Sequence, residues 1–287
     1  ELYLFLREER EKIGEESKNL FKKIESISNP PKVKLTARMK HKFLNKPYYS
    51  QSVRNPKYVF EQKEAIASYI NQNSIEYIYC YGLELSELIP NSFPSNKVVI
   101  DVIDNYALLF SRDAKLESDL LKKFNLYLES ISFGKVIKEL SQRYKLLVVS
   151  QDDANDLKQE WSAKSYIVPS GVDLNIFDYK RRNPDQYSII FTGVMNYAPN
   201  VDTALYFTNE IFPLIKREQP KVVFTIVGAN PITDIKALHN GLDIIVTGLV
   251  PEVPPYLEKA TVFVCPMRSG AGIKNKILSA MAMKLPV

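Results

Sequence analysis

The second half of the chain repeats one hydrophobic pattern. A short, continuous run of apolar residues ends at a glycine or a turn, and a stretch with apolar residues at helical spacing follows it. Continuous apolar strands that alternate with amphipathic helices are typical of a parallel sheet covered on both faces. The pattern predicts strands over residues 187–192, 222–227, 243–247 and 261–265, and helices over residues 199–217, 233–239, 252–259 and 273–283.

The first half follows the same scheme, with strands predicted over residues 2–6, 75–80, 98–103 and 146–150. Helices are predicted over residues 58–71 and over a long run, 106–144, which we expect to break near Gly134. Residues 169–185 are rich in Pro, Gly, Asn and charge, which favours a linker.

We therefore predict an α/β protein with two Rossmann-like, doubly wound parallel-sheet domains facing a cleft, where such folds bind ligands. The predicted domains are residues 1–168 and 187–287, joined by a linker over residues 169–186.

The composition excludes several classes of protein but does not identify a function. The 287 residues exceed what one compact core usually holds, and 45% hydrophobic with 25% charged residues exclude disorder, collagen and a disulfide scaffold. Cys80 and Cys265 are expected to be buried thiols, and with His41 and His239 they do not suggest a metal site.

No membrane-spanning run or signal peptide is visible, so we expect a cytoplasmic protein. The first residues already have the pattern of a strand, and the last residues have the pattern of the start of another element. We therefore expect a fragment that lacks its first strand and its C-terminal end.

Basic residues concentrate in one segment. Residues 26–60 contain eight Lys and Arg and no Asp or Glu, which is a charge of +8. Because the net charge of the whole chain is +5, the remaining residues carry −3. Aromatic residues are interleaved between Lys32 and Lys57, which suits an anionic membrane surface or a phosphate-rich ligand. A solvated loop is the competing interpretation. Nucleic acid is not expected, because no sequence-reading module is visible.

The strongest candidate for chemistry is the loop over residues 268–276, between a predicted buried strand and a helix. Two glycines let backbone N–H groups approach an anion, and the helix start adds free N–H groups and partial positive charge. Arg268, Lys274 and Lys276 crowd three cations against that dipole, which favours a bound anion such as a diphosphate. An ordinary strand-to-helix turn is the alternative.

Weaker candidates follow other predicted strands. Gly193 to Asn196 would admit a phosphate or sugar closely, and the backbone at Val250 would hydrogen-bond a flat base. Asp104 would accept a proton or hold sugar hydroxyls, although capping of the next helix explains it equally well.

Several motifs together resemble family 4 glycosyltransferases, which have the GT-B fold. Residues 167–173 (IVPSGVD) with Phe177 resemble the interdomain signature, and residues 191–193 with 199–202 resemble the opening of the donor domain. Residues 224–228 and 246–250 match the following strands. Residues 268–278 and 280–283 resemble the donor-binding loop and helix. The nearest likeness is to bacterial exopolysaccharide-type sugar transferases.

This resemblance implies retaining transfer of a sugar from a nucleoside-diphosphate donor to a glycan or polyprenyl-linked acceptor, without a metal or other cofactor. It implies that Arg268 with Lys274 or Lys276 offsets the charge of the leaving group, and that Val250 holds the base. The other implied donor-binding positions are Gly193, Asn196, Ser269, Gly270, Ala271, Gly272 and Ser279.

The chain departs from the family at two glutamates, which are Ala271 and Ser279 here. The second glutamate normally binds the ribose hydroxyls, and Ser279 is too short for that grip. Lys284 stands where a helix-ending glycine is usual. A catalytically silent nucleotide-sugar-binding module and a nucleotide-sugar epimerase therefore remain alternatives.

Overall fold

The computed structural model describes residues 3–6, 23–26, 30, 47, 50–178 and 185–287. Most of the basic segment from Lys32 to Lys57, including Lys40, Lys42 and Lys46, lies outside these residues. Contacts divide the chain into two units, Glu1–Ile167 and Val168–Val287. Each unit has its own hydrophobic core.

The first unit is built on parallel strands, as the apolar runs predict. Strands β1 (Tyr3–Leu6) and β2 (Lys23–Ser26) pair in parallel. A second parallel sheet has the order β3-β4-β5-β6. Its strands are β3 (Ile78–Tyr81), β4 (Val98–Asp101), β5 (Lys145–Val148) and β6 (Tyr166–Ile167). Strands β2 and β6 were not predicted.

The described part of the first unit also contains helices. They are α1 (Gln51–Arg54), α2 (Pro56–Asn73), α3 (Tyr106–Leu116), α4 (Leu120–Arg143) and α5 (Gln151–Trp161), with 3₁₀ turns at Leu83–Leu88 and Ser95–Lys97. No helix within residues 50–178 or 185–287 combines the length and the apolar composition that spanning a bilayer requires.

The predicted helix break near Gly134 is wrong. Helix α4 continues through Gly134, and the interruption lies earlier, between Leu116 and Leu120. Asp119 begins α4 there, because its carboxylate accepts hydrogen bonds from the N–H groups of Leu121 and Lys122 at 2.9 and 3.0 Å. Gly134 serves packing instead, since a Cβ at this position would lie 2.1 Å from the ring of Trp161.

The second unit carries a parallel sheet of order β10-β7-β8-β9, which confirms the predicted architecture. The strands are β7 (Ser188–Thr192), β8 (Val223–Val227), β9 (Ile244–Gly248) and β10 (Val262–Phe263). The helices are α6 (Ala198–Tyr206), α7 (Phe212–Glu218), α8 (Thr233–Ala237), α9 (Pro254–Lys259) and α10 (Asn275–Ala282).

The single helix predicted over residues 199–217 is interrupted by a π-helical turn at Phe207–Ile211. Pro213 follows this turn and has no N–H for the regular helical ladder, so a wider turn relieves the conflict. The rings of Phe207 and Phe224 pack at 4.6 Å between centroids beneath the sheet. This buried contact holds the paired helices α6 and α7 against β8.

Candidate functional site

Four loops of the second unit share one edge of its sheet. Because β7, β8, β9 and β10 are all parallel, their carboxyl ends lie on the same side. Gly193 follows β7, Gly228 follows β8, Leu249 follows β9, and the loop over residues 264–274 follows β10. In open α/β sheets, ligands bind outside this edge.

Two glycines bring the ends of β7 and β8 into close contact. A Cβ on Gly228 would lie 1.6 Å from the carbonyl oxygen of Gly193. The N–H of Gly193 donates to the carbonyl of Val227 at 3.0 Å, and the N–H of Gly228 donates to that of Gly248 at 3.2 Å. The pairing therefore continues past the strands only because position 228 has no side chain.

Lys276 lies at the centre of this edge. Its ammonium donates to the Oδ1 atom of Asn200 and lies 4.7 Å from the centroid of the Phe191 ring. Asn200 is only 5% exposed, and its Nδ2 donates to the carbonyl of Val194 at 3.0 Å. A Cβ on Gly193 would lie 2.6 Å from the Asn200 amide nitrogen and 3.1 Å from the Lys276 ammonium. Glycine at position 193 thus makes room for a lysine–asparagine pair.

The surroundings of Lys276 weaken its hold on a proton. Burial, assisted by the nearby charge of Lys274, lowers the pKa of Lys276 to about 8, although Cys265 acts in the opposite direction. Burial in turn raises the pKa of the Cys265 thiol, while both lysines oppose that shift. An ammonium that has lost most of its water gains strongly from a nearby anion.

The loop before α10 is shaped around Lys274. Gly270 and Gly272 have φ angles of +114° and +68°, a region that side chains rarely adopt. The Lys274 ammonium donates to the carbonyl of Ala271 at 2.5 Å and would lie 2.7 Å from a Cβ on Gly270. Ser269 is buried within the same turn. The backbone angles of this loop and the position of the Lys274 ammonium therefore both require glycine at position 270.

Helix α6, which holds Lys276 through Asn200, also holds Arg268, but through a different residue. Its guanidinium forms two hydrogen bonds with the carboxylate of Asp202 and lies 4.3 Å from the centroid of the Tyr206 ring. The side chain remains exposed. Helix α6 therefore positions two of the three predicted cations, Arg268 through Asp202 and Lys276 through Asn200.

The start of α10 carries positive charge. Its first turn contains no acidic residue, and Lys274 at the N-cap makes no capping hydrogen bond through its side chain. The helix dipole, Lys274 and Lys276 therefore act in the same direction, while Asp202 balances the charge of Arg268. This combination can bind a di-anionic group.

The remaining predicted donor-binding residues lie around this edge. Asn196 is exposed in the loop after β7, and Ala271 is buried beside Ser269. Val250 packs partly on the core, beside the exposed Leu249. The Ser279 hydroxyl donates to the carbonyl of Asn275 at 3.1 Å, so it is turned toward its own helix.

Asp104 belongs to the first unit, just after β4. The alternative role predicted for it is wrong, because Asn105 caps α3 by accepting a hydrogen bond from the Leu108 N–H at 3.2 Å. Asn105 also donates to the carboxylate of Asp156 at 2.7 Å. Ile103, which immediately precedes Asp104, has φ +62°, an uncommon angle for a β-branched residue. Such strained backbone clusters at functional sites.

Sequence reasoning assigned no site role to Asn200, Asp202 or Phe191. Asn200 and Asp202 lie about 70 residues upstream of the basic loop, so their link to it exists only in the folded unit. Among the residues that the structure describes, no three His, Cys, Asp or Glu side chains cluster as a metal site would require. Metal independence stays a prediction.

Solved structures with this fold are GT-B glycosyltransferases. One described as trehalose-6-phosphate from E. coli bound with UDP-2-fluoro glucose matches with a TM-score of 0.56 at 10% identity, over 98% of this chain and 81% of that one. Anabaena Alr3699/HepE in complex with UDP matches with a TM-score of 0.54 at 12% identity, over 100% of this chain and 80% of that one. The predicted fold class, two parallel-sheet α/β domains of the GT-B type, is confirmed.

The sequence of the second unit points to the same class. Residues 186–287 match the family model of glycosyl transferases group 1. A Klebsiella pneumoniae protein described as "Uncharacterized 44.6 kDa protein in cps region" is 24% identical over 221 residues, which is 72% of this chain and 55% of that protein. The chain thus spans about half the length of this curated relative. The predicted resemblance is confirmed.

Proposed function

We propose that the chain is part of a glycosyltransferase that moves a sugar from a nucleoside-diphosphate donor to a glycan or lipid-linked acceptor in bacterial polysaccharide synthesis, with retention of anomeric configuration. The observation that carries this proposal is the desolvated Lys276 ammonium, held by Asn200 at the edge of a sheet whose sequence matches glycosyl transferases group 1. The solved structures bound to UDP and to a UDP-sugar analogue support a nucleotide-sugar donor.

Diphosphate stabilisation is the chemistry that this corner would supply. In the transfer, the bond between the anomeric carbon and the diphosphate oxygen breaks, and the acceptor oxygen bonds to that carbon on the same face. Negative charge develops on the departing diphosphate, which takes up the acceptor's proton. Lys276, Arg268 and the N–H groups at the start of α10 would stabilise that charge in place of water.

The other predicted residues take supporting roles in this proposal. The loop from Ser269 to Gly272 would lie along the diphosphate and sugar, with Lys274 holding its shape. Gly193 and Asn196 would face the sugar, and the Val250 backbone would contact the base. Asp104 of the first unit would hold an acceptor hydroxyl.

A cellular location follows as a further part of the proposal. A transferase that uses cytoplasmic nucleotide sugars and a lipid-linked acceptor would work peripherally at the inner face of the membrane. The basic segment from Lys32 to Lys57 supports this location through its charge and its aromatic residues.

A screen of nucleotide sugars tests the donor proposal. We expect one of the UDP-, GDP- or ADP-sugars to raise the melting temperature, because a ligand that binds only the native state stabilises it by mass action. Arg268→Gln should reduce that shift. Lys236→Met, which removes an exposed cation of α8, is the control and should preserve it. Absence of a shift across the panel would contradict the proposal.

Ser279 specifically favours a second candidate, a nucleotide-sugar-binding module with little or no activity. A serine has no carboxylate to offer the ribose, and the Ser279 hydroxyl donates to the carbonyl of Asn275 instead. We expect Ser279→Glu to tighten binding of the recognised nucleotide about tenfold, since hydrogen bonds to a charged group contribute about 1.5–3 kcal/mol. Isothermal calorimetry measures this gain, and Ser279→Ala should bind like the parent. If Ser279→Glu restores transfer as well, the chain is an impaired enzyme and not a silent module.

A further inference from the structure

Asn200 is a buried polar residue at the sheet edge where Lys276 lies. It is only 5% exposed, and its backbone N–H donates to the carbonyl of Tyr197 at 2.9 Å, in the first turn of α6. A buried amide side chain needs hydrogen-bond partners at both of its ends. Here the Nδ2 atom donates to the carbonyl of Val194 at 3.0 Å, and the Oδ1 atom accepts from the Lys276 ammonium. Asn200 therefore joins the loop after β7 to the first turn of α10.

The chemistry of these two partners fixes which way the Asn200 amide faces. A backbone carbonyl can only accept a hydrogen bond, and an ammonium can only donate one. Turning the amide over would place two acceptors together at Val194 and two donors together at Lys276. The side-chain oxygen of Asn200 therefore points at the ammonium, which has a hydrogen-bond acceptor at a defined position before any ligand arrives.

The partner of Lys276 is neutral, whereas the partner of Arg268 is charged. Asp202 forms an ion pair with Arg268, so that the charge of this cation is balanced within the chain. Among the described residues, the titratable groups that act on Lys276 are Cys265 and Lys274. Burial raises the pKa of the Cys265 thiol, which keeps the thiol uncharged at neutral pH. Neither of these two groups therefore cancels the charge of Lys276.

We propose that Asn200 is a positioning residue for an anion: it holds the Lys276 ammonium in place and favours its protonated form without cancelling its charge. A hydrogen bond to the charged form of a group favours that form, so the Asn200 oxygen opposes the effect of burial on the lysine. An aspartate would hold the proton more firmly, but its negative charge would repel a diphosphate. The inference rests on the proposed function, because the anion is the diphosphate of the donor.

NMR titration of the lysine ε-carbons tests the first half of this inference in the chain without ligand. Lys276→Met identifies the Lys276 signal by its loss. Asn200→Asp should raise the pKa of Lys276 from about 8 to about 9 or above, because a carboxylate within hydrogen-bond reach favours the ammonium. Asn209→Asp is the matched control, since Asn209 is exposed and lies roughly 13 Å further along by helical rise. Salt screens most of a charge added there, so the pKa should stay unchanged.

Binding of inorganic pyrophosphate tests the second half. At pH 7, calorimetry should show that Asn200→Asp binds pyrophosphate at least about tenfold more weakly than the parent, because the added carboxylate repels the anion. This loss should occur although the lysine of the variant is more fully protonated. Asn209→Asp should bind like the parent. A general defect in folding would not raise the pKa of Lys276 and weaken anion binding together.

A second variant removes the acceptor without adding charge. Asn200→Leu conserves the approximate volume of the side chain, and it should weaken pyrophosphate binding about tenfold. The same substitution made in Lys276→Met should change binding less than about twofold, since its effect acts through the ammonium. Equal losses in both backgrounds would show a purely structural role and would overturn the inference.

Three other results would also overturn it. These are an unchanged pKa of Lys276 in Asn200→Asp, an unchanged affinity of that variant for pyrophosphate, and a parent chain that does not bind pyrophosphate. A parent that binds pyrophosphate and shows the expected changes, but binds none of the sugar nucleotides, would contradict the proposed function and support this inference.

Discussion

Replacing Lys276 with methionine is expected to lower the rate of sugar transfer by about 100-fold or more. Methionine keeps the length and apolar stem but removes the ammonium that would meet the departing diphosphate, and a preorganised charge of this kind contributes about 100- to 1,000-fold to a rate. The position is special because the ammonium is desolvated, with Asn200 as its partner and the Phe191 ring beneath it. Steady-state kinetics with the recognised donor measure the loss.

The pH profile distinguishes this role from a structural one. Only the protonated lysine stabilises the diphosphate, and burial places the pKa of Lys276 at about 8 in the chain without ligand. The value of kcat/KM should therefore fall as the pH rises through about 8. Lys276→Arg should flatten that limb, since a guanidinium stays charged. Lys236→Met should keep the original profile. An unchanged alkaline limb in Lys276→Arg would show that another group titrates.

Gly228→Ala is expected to destabilise the second unit by about 3 kcal/mol or more. The added Cβ would lie 1.6 Å from the carbonyl oxygen of Gly193, and a backbone atom cannot rotate away as a side chain does. Relief requires that the ends of β7 and β8 separate, which breaks the hydrogen bond between Gly193 and Val227. Forced overpacking of this kind costs about 1–3 kcal/mol even where side chains can adjust.

Hydrogen exchange of the β7 and β8 amides, together with calorimetry, measures this effect within the second unit. Gly171→Ala is the matched control, because a Cβ there meets nothing within 4 Å. Its effect should stay within about 0.5 kcal/mol. Equal melting temperatures for the two variants would contradict the close approach at Gly228.

The architecture of both units could be predicted from the sequence. In a parallel sheet covered on both faces, each strand is a continuous apolar run, so runs such as residues 222–227 identify it directly. The basic character of the loop could also be predicted, because two glycines and three cations at a helix start have a local physical meaning; that the loop binds an anion stays a prediction. These features depend on neighbours along the chain.

The errors arose where a residue has more than one possible use. Gly134 was predicted to break a helix, yet it accommodates the Trp161 ring, 27 positions further along the chain. Asp104 was a plausible cap until the backbone placed Asn105 at that position. A glycine or an aspartate has several local uses, and only packing selects one of them.

By itself, the sequence determined the parallel sheets, the two-unit organisation and the positive charge at the start of α10, because apolar runs, glycines and lysines act locally. Only the tertiary structure decided that Asn200 holds Lys276 and that Gly193 clears the space for both. Those properties depend on distances between residues far apart in the chain, which burial and backbone contact establish only on folding.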